Sequence, residues 1–298
     1  MDRTSRAKRV IWREAEEERI IKEDINMEHI SKIIDKVSKQ EITPIDTGIT
    51  YLDTAIGGYY PGEITTICGD ECCCKTAFVI HQVCRIAIDK KIPTLVLLDY
   101  TSERDFLSSL VTYYCNIEPD SIHQVLESEE YKEIVNDFFC RLKECPLYIR
   151  RAGWYEDKKT FDDIENFVDE NNIKIIFVDE VMLDLGPYDA ASLSCIGTIA
   201  LNKNIPIVVT CYVWSDRLGI EDIRPCLIDL SRRSYIHGHD VVIGFTNYEQ
   251  YWMYEDDRGN DLHGVICVEI LKYRGKIKEK YHYLPKDILF FHDYEEKN

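Results

Sequence analysis

From Thr43 onward, short apolar runs alternate with stretches in which apolar residues recur at helical spacing. Runs of this length, rich in Ile, Val and Leu, are typical of strands in a parallel sheet that helices cover on both faces. The runs are Glu63–Cys68, Thr94–Asp99, Pro146–Arg150, Lys174–Asp179, Pro206–Cys211 and Val241–Phe245. The alternation therefore predicts an α/β fold.

The two ends of the chain depart from this pattern. After Leu262 the sequence continues as VICVEILKYRGKIKEKYHYL, which predicts a hairpin that turns near Arg274 and Gly275 and adds antiparallel strands. Residues 1–40 mix charges of both signs with Ile and Val at helical spacing, which predicts one or two amphipathic helices. We therefore expect a helical linker or docking arm over 1–40 and one main domain over 41–298.

The composition limits where the protein works and what its surface attracts. The chain contains no apolar run of the roughly 18 residues that a transmembrane helix needs, and its N-terminus is charged where a signal peptide is apolar. We expect a cytoplasmic protein without a membrane partner, whose 12 cysteines are reduced. The net charge of -18 argues against an outer surface that attracts nucleic acid, although a locally basic groove or pore remains open.

The first apolar run leads into the loop GDECCCKT and then into the amphipathic stretch AFVIHQVCRIAI. A strand, a G-x-x-x-x-x-K-T loop and a helix form the context of a P-loop, where backbone N–H groups and the helix N-terminus hold phosphate. In such a loop Lys75 reaches the β- and γ-phosphates, and Thr76 is a ligand of Mg²⁺. The predicted nucleotide-binding residues are Gly69, Asp70, Glu71, Cys72, Cys73, Cys74, Lys75, Thr76 and Ala77.

The cysteines in this loop leave other interpretations open. Cys74 stands where the P-loop pattern has glycine, and a left-handed backbone there costs a non-glycine residue about 1–2 kcal/mol. Consecutive cysteines point in diverging directions, which disfavours a zinc site. A thiol at a helix N-terminus has a depressed pKa, so Cys72, Cys73 or Cys74 is a candidate reactive thiolate of a redox sensor. The remaining alternative is a P-loop that has lost its activity.

A second acidic position follows another apolar run. The stretch IKIIFVDE, from Ile173 to Glu180, has the form of a strand that ends in acids. An aspartate at this place holds Mg²⁺ through water, because the carboxyl ends of parallel strands meet at one edge of the sheet. We therefore predict that Asp179 and Thr76 share a magnesium site.

The order of these segments resembles the DnaB-type replicative helicases, specifically their RecA-like C-terminal ATPase domain. The resemblance covers nearly everything from Thr43 on and implies a RecA-like P-loop NTPase fold. The similar segments are TGITYLDTAIGGYYPGEITTICGD, FDDIENFVDENNIKIIFVDE, NIPIVVTCYVW, RPCLIDLSRRSYIHGHDVVIGFTNYEQYW and VEILKYRGK.

The resemblance implies an ATP-driven motor that assembles as a ring, usually of six subunits, and moves along single-stranded DNA in replication. Each ATP lies between subunits, and the neighbour supplies a lysine and an arginine, which Lys272 and Arg274 match. Residues two apart on a strand project from the same face, so both cations can reach one phosphate cluster. The alternative for this pair is a solvated hairpin tip.

Several positions depart from the family. The strand that carries the family's catalytic glutamate ends here in Asp99 and Tyr100, whereas Glu180 follows the metal-binding aspartate where the family usually has tyrosine. Glu180 is therefore our candidate general base, with Asp99 as the second candidate. Tyr212 stands near the position of the family's glutamine sensor. These changes leave open a second function, a hydrolysis-impaired assembly or regulatory protein that keeps nucleotide binding and oligomerisation.

The resemblance also bears on partners. The family contacts DNA from pore loops that include the segment matching DLSRRSYIHG, so Arg232, Arg233 and Ser234 are the candidate DNA-binding residues. Adjacent arginines also occur at solvated helix ends, and that alternative stays open. No primase-binding N-terminal domain is expected from this sequence.

Overall fold

A computed structural model of the chain describes residues 29–32, 34, 42–99, 101–117, 129–151, 158–182, 196–213, 223–231 and 238–285. By its internal contacts the chain divides into two units, Met1–Ile42 and Thr43–Asn298. In the first unit residues 30–32 are helical, and most of the arm predicted over 1–40 lies outside the described residues.

The second unit contains a sheet of eight strands in the order β3-β2-β4-β5-β1-β6-β7-β8. Strands β1 to β6 pair in parallel, whereas β7 pairs antiparallel with β6 and with β8. The strands are β1 Ile64–Gly69, β2 Thr94–Leu98, β3 Leu147–Arg151, β4 Ile175–Met182, β5 Ile207–Tyr212, β6 Val241–Thr246, β7 Val265–Tyr273 and β8 Lys276–Pro285.

The predicted strands and hairpin are confirmed. Each apolar run of the sequence coincides with one of the strands β1 to β6. The connection from β7 to β8 turns at Arg274 and Gly275, whose φ angles of 46° and 79° are both positive. A two-residue hairpin turn of this type requires positive φ at both central residues, and the glycine adopts it without a steric cost.

Helices cover both faces of the sheet, as predicted. Within β2, Val96 and Leu98 join the buried cluster beneath helices α1 to α4, whereas Leu95 and Leu97 join the cluster beneath α5 to α7. The helices are α1 Thr50–Ile56, α2 Lys75–Val83, α3 Glu103–Cys115, α4 Glu129–Lys143, α5 Lys158–Glu170, α6 at residues 196–203 and α7 Leu227–Ser231. In the described part of the chain, none of the helices has the length and apolar content to span a membrane.

Candidate nucleotide site

The N-terminus of α2 faces the carboxyl end of β1, and the loop between them begins at Gly69. The neighbours of β1 end at the same level, since Gly69 is in register with Tyr212 of β5 and Phe245 of β6. A Cβ atom on Gly69 would lie 2.5 Å from both the Cys73 Sγ and the Phe245 carbonyl oxygen. Only glycine therefore fits this first position of the loop.

Two other positions of the loop have a left-handed backbone without glycine. Cys72 and Cys74 have φ angles of 55° and 66°. Each such residue costs about 1–2 kcal/mol relative to the right-handed conformation. The cost predicted for Cys74 therefore applies, and Cys72 adds a second one.

Side chains from both neighbouring strands contact this loop. The Tyr251 hydroxyl donates to Oδ2 of Asp70, and the Asn247 amide donates to the carbonyl oxygen of Cys72 at 3.0 Å. Burial raises the pKa of Tyr212 to about 12, and the negative charge of Asp70 acts in the same direction. Tyr251 and Asn247 were not among the residues predicted from the sequence. The only available signal was their place after β6, at the edge of the sheet that carries the loop.

Lys75 lies at the start of α2 with its side chain folded into the loop. The Nζ atom donates to the carbonyl oxygens of Gly69 at 3.1 Å and Asp70 at 2.7 Å, and it forms an ion pair of 2.9 Å with Oε1 of Glu180. Burial lowers the pKa of Lys75, but the Cys73 and Glu180 side chains outweigh burial and raise the pKa overall. The ammonium group is therefore charged. It is already bound to acceptors of its own chain, which an incoming phosphate would have to replace.

Thr76 and Asp179 meet beside the loop. The Thr76 hydroxyl donates to Oδ1 of Asp179 at 3.1 Å, and the Thr210 hydroxyl donates to the same oxygen at 2.9 Å. The other oxygen, Oδ2, is buried without a hydrogen-bond partner among the described residues. Burial raises the pKa of Asp179 to about 6, although both threonine hydrogen bonds act to lower it. An unpartnered carboxylate oxygen next to a threonine hydroxyl fits Mg²⁺, a hard cation that takes oxygen ligands and water.

An irregularity in β4 brings a second carboxylate to the same place. The pairing of β4 with β5 shifts register between Val178 and Val181. Successive strand residues normally face opposite sides of the sheet, and an irregularity of this kind redirects a side chain. Asp179 therefore contacts Thr76 while the adjacent Glu180 contacts Lys75.

Asp99, the second candidate base, follows the end of β2. Its backbone N–H donates to the carbonyl oxygen of Asp179 at 2.8 Å, so Asp99 borders the magnesium candidate. Tyr100 and the candidate DNA-binding residues Arg232, Arg233 and Ser234 lie outside the described residues.

Lys272 and Arg274 lie towards the amino ends of the parallel strands, whereas the P-loop lies at their carboxyl ends. Lys272 pairs with Val242 of β6, which is in register with Thr66 of β1, so along the strands it lies about 10 Å before Gly69, where the P-loop begins. The Lys272 Nζ donates to the His239 carbonyl oxygen at 2.5 Å. Both cations are thus remote from the P-loop of their own chain.

Arg274 is fixed by contacts within its own chain. Its Nε and Nη2 groups donate to the two carboxylate oxygens of Glu63 at 2.7 and 3.1 Å, and its guanidinium lies 3.9 Å from the centre of the Tyr60 ring. Arg274 belongs to the turn after β7, so the alternation of strand residues does not relate its direction to that of Lys272.

The depressed pKa predicted for the loop cysteines is wrong for Cys73. Its side chain is 1% exposed, and burial raises the pKa of its thiol to about 12 against the opposing effect of Lys75. Cys72 is exposed and Cys74 partly so. Across the described ranges, no three His, Cys, Asp or Glu side chains converge to form a metal site.

Comparison with known proteins agrees with this geometry. The family model for the DnaB-like helicase C-terminal domain matches residues 44–280. A solved structure described as a DnaB-like replicative helicase and its interactions with primase has a TM-score of 0.72 at 15% identity, covering 91% of this chain and 68% of that chain. A second solved structure, described as an ATPase domain, has the same score and identity, covering 89% and 97%. At this identity the solved structures establish the fold alone. Among curated proteins no match is found.

Proposed function

Because this chain belongs to the family of DnaB-like helicase C-terminal domains, we propose that it binds ATP with Mg²⁺ and hydrolyses it to move along single-stranded DNA. The observation that carries this proposal is the contact between Thr76 and Asp179 at 3.1 Å beside the P-loop. The second oxygen of Asp179, Oδ2, is buried and has no partner among the described residues. A bound ion would supply the missing partner of that oxygen and polarise the phosphate oxygens.

Lys75 and Glu180 have linked roles in this proposal. The ammonium of Lys75 turns from Glu180 to the β- and γ-phosphates when the nucleotide binds, which releases the Glu180 carboxylate. The Glu180 carboxylate, which lies 2.9 Å from the ammonium that would hold the phosphates, would then orient and deprotonate the attacking water. Asp99, which borders Asp179, is the alternative base.

The remaining positive charge comes from a neighbouring subunit. The positive charge of Lys75 lies near the negative charges of Asp179 and Glu180, so this lysine alone does not neutralise the charge of a nucleotide polyphosphate. Lys272 and Arg274 lie towards the amino ends of the parallel strands, away from the P-loop of their own chain. In this proposal the subunits form a ring of six, and the ring presents the two residues to the nucleotide site of the next subunit.

DNA contact is assigned to a local basic segment. With a net charge of -18, the chain as a whole repels polyanions. Arg232, Arg233 and Ser234 provide donors that suit phosphate contacts in a ring pore. In this proposal the protein acts in the cytoplasm in DNA replication.

A second candidate function is an assembly or regulatory protein that binds nucleotide and hydrolyses it slowly. It is favoured by the ion pair of 2.9 Å between Lys75 and Glu180, which a nucleotide has to break, and by the strained backbone at Cys72 and Cys74. Both candidates require Mg²⁺-dependent nucleotide binding, so binding is tested first.

The test titrates the protein with a fluorescent ATP analogue, with and without Mg²⁺, and measures the mass of the protein assembly in parallel. We expect saturable binding that needs Mg²⁺, an increase in mass with nucleotide, and loss of binding in Lys75→Ala. Lys203→Ala is the matched control, because Lys203 also forms an ion pair, of 2.8 Å with Asp169, away from the loop. Binding that is absent in the unmodified chain, or equal in both variants, contradicts the proposal.

A further inference from the structure

Between positions 69 and 76 the candidate phosphate-binding loop has one glycine, Gly69 itself. Elsewhere in P-loops, glycines allow the backbone to approach phosphate and to adopt left-handed angles. Here Cys72 and Cys74 adopt such angles with side chains attached. Interactions outside the loop backbone must therefore stabilise this conformation.

The contacts that do so converge on Asp70. Tyr251 belongs to the 3-10 turn Tyr248–Tyr251 after β6, and its hydroxyl donates to Oδ2 of Asp70. Tyr212 ends β5 in register with Gly69, and its ring lies 5.7 Å from the Nζ of Lys75. Since β5 and β6 are the two neighbours of β1, a tyrosine lies on each side of the strand that leads into the loop, and the one after β6 binds the Asp70 carboxylate.

The backbone of the loop is fastened at two further points. Oδ1 of Asp70 accepts the backbone N–H of Glu71 at 2.8 Å. The Asn247 amide donates to the carbonyl oxygen of Cys72 at 3.0 Å, directly at one of the left-handed residues. Asp70 is thus an anchor inside the loop, bound to the backbone of Glu71 and to Tyr251 in the turn after β6.

We propose that Tyr251 is a positioning residue of the nucleotide site, which holds the loop in its phosphate-binding shape through Asp70. The hydrogen bond from its phenol also stabilises a negative charge that would otherwise repel a polyphosphate. The effect on loop shape is independent of ligand, whereas the effect on nucleotide affinity rests on the proposed function.

The buried thiol of Cys73 provides a direct measurement. It lies inside the loop and is 1% exposed, so alkylation requires the loop to open. Cys68, on β1, is 0% exposed and reports opening of the core. The experiment alkylates the nucleotide-free full chain with iodoacetamide and follows both thiols by mass spectrometry.

We expect Tyr251→Phe to raise the alkylation rate of Cys73 about tenfold, or about 1.4 kcal/mol, with the rate of Cys68 unchanged. Tyr283→Phe is the matched control, because its hydroxyl also donates to an aspartate, Asp256 at 3.1 Å, which is not part of the loop. In an Asp70→Asn background the effect of Tyr251→Phe should shrink, since the charged acceptor is gone. Equal Cys73 rates in Tyr251→Phe and Tyr283→Phe, or a parallel rise at Cys68, overturn the proposal.

Adding Mg-ATP to the same reactions separates the two proposals. If nucleotide slows the alkylation of Cys73 in the unmodified chain, the loop binds nucleotide. If nucleotide has no effect but Tyr251→Phe still exposes Cys73, the proposed function fails and the positioning role stands. If nucleotide protects Cys73 and Tyr251→Phe behaves like the unmodified chain, the positioning role fails alone.

Discussion

The Nζ of Lys75 and Oε1 of Glu180 form an ion pair of 2.9 Å across the P-loop. The lysine side chain is 5% exposed and that of the glutamate 27%, so the pair joins a buried cation to an acid that still reaches solvent. In the proposed function a nucleotide competes with Glu180 for the lysine. The two side chains therefore link nucleotide binding to the release of the candidate base.

Glu180→Gln tests that link. Loss of a general base lowers turnover by about 100-fold or more, and the neutral amide competes less well for Lys75, so nucleotide affinity should stay the same or rise. Steady-state hydrolysis and equilibrium binding of the same preparations check both effects. Asp99→Asn serves as the comparison, and unchanged turnover in Glu180→Gln would assign the base elsewhere.

The pKa of Asp179 predicts the sign of a pH effect on stability. Burial raises this pKa from 3.8 to about 6, so at pH 7 without Mg²⁺ the buried charge destabilises the folded state. The cost is complete above pH 6, and it decreases as the pH falls from about 6 towards 3.8, because in this range the folded state takes up a proton before the unfolded state does. Asp179→Asn should therefore raise the free energy of unfolding at pH 7, by at most roughly 3 kcal/mol.

Urea titrations at pH 7 and pH 5 without Mg²⁺ measure this effect. The advantage of Asp179→Asn should shrink by about 1 kcal/mol at pH 5. Asp256→Asn is the control of opposite sign: slight burial raises the pKa of Asp256, but hydrogen bonds from Asn260, Arg258 and Tyr283 lower it to about 2. The stabilisation by the Asp256 carboxylate is complete above about pH 4. Asp256→Asn should therefore lower the free energy of unfolding by the same amount at pH 7 and at pH 5. A constant difference for Asp179→Asn contradicts the account.

Cys74→Gly should stabilise the protein. The φ angle of 66° is strained for cysteine and not for glycine, so the free energy of unfolding should rise by about 1 kcal/mol. Removing the Cβ also clears the approach to phosphate, so nucleotide affinity should increase. Cys74→Ala keeps the Cβ and is the matched control. If the alanine and glycine variants unfold at the same urea concentration, strain at this position is not the cause.

Mixing two inactive variants tests the trans role of Arg274. Arg274→Ala should bind nucleotide and lose most turnover, and Lys75→Ala should lose binding. In a mixed ring, a subunit with an intact P-loop next to one with an intact Arg274 forms a complete site, so mixing should restore part of the activity. Activity that stays at the sum of the two separate variants would argue that Arg274 acts within its own chain.

Glu63→Gln extends that test to the residue that holds the arginine. Glu63 accepts from both Nε and Nη2 of Arg274, at 2.7 and 3.1 Å, and fixes the plane of the guanidinium. Losing one charged oxygen should lower kcat severalfold and leave KM unchanged, because nucleotide binding uses Lys75 and Thr76. A change in KM alone would place Glu63 outside the trans contact.

The fold was predictable because its signals are local. Apolar runs buried on both faces identified β1 to β6, and the Arg-Gly pair marked the turn between β7 and β8. The meeting of Thr76 and Asp179 follows from the parallel order, since the carboxyl ends of β1 and β4 share one edge of the sheet.

The contacts that shape the site were not predictable, because each joins distant positions through side-chain geometry. Tyr251 and Asp70 are separated by 181 positions, and Arg274 and Glu63 by 211. The ion pair of Lys75 with Glu180 depends on the irregular register of β4, which no sequence pattern marks. Burial of Cys73 likewise depends on its contact with Gly69 and overrides the effect of the helix N-terminus on its thiol.

The most direct test of the account is the steady-state rate of ATP hydrolysis with and without single-stranded DNA, in the unmodified chain and in Lys75→Ala. The account predicts Mg²⁺-dependent turnover that DNA stimulates severalfold, and no turnover in the variant. Turnover that is absent under all conditions, or that survives Lys75→Ala, would contradict it.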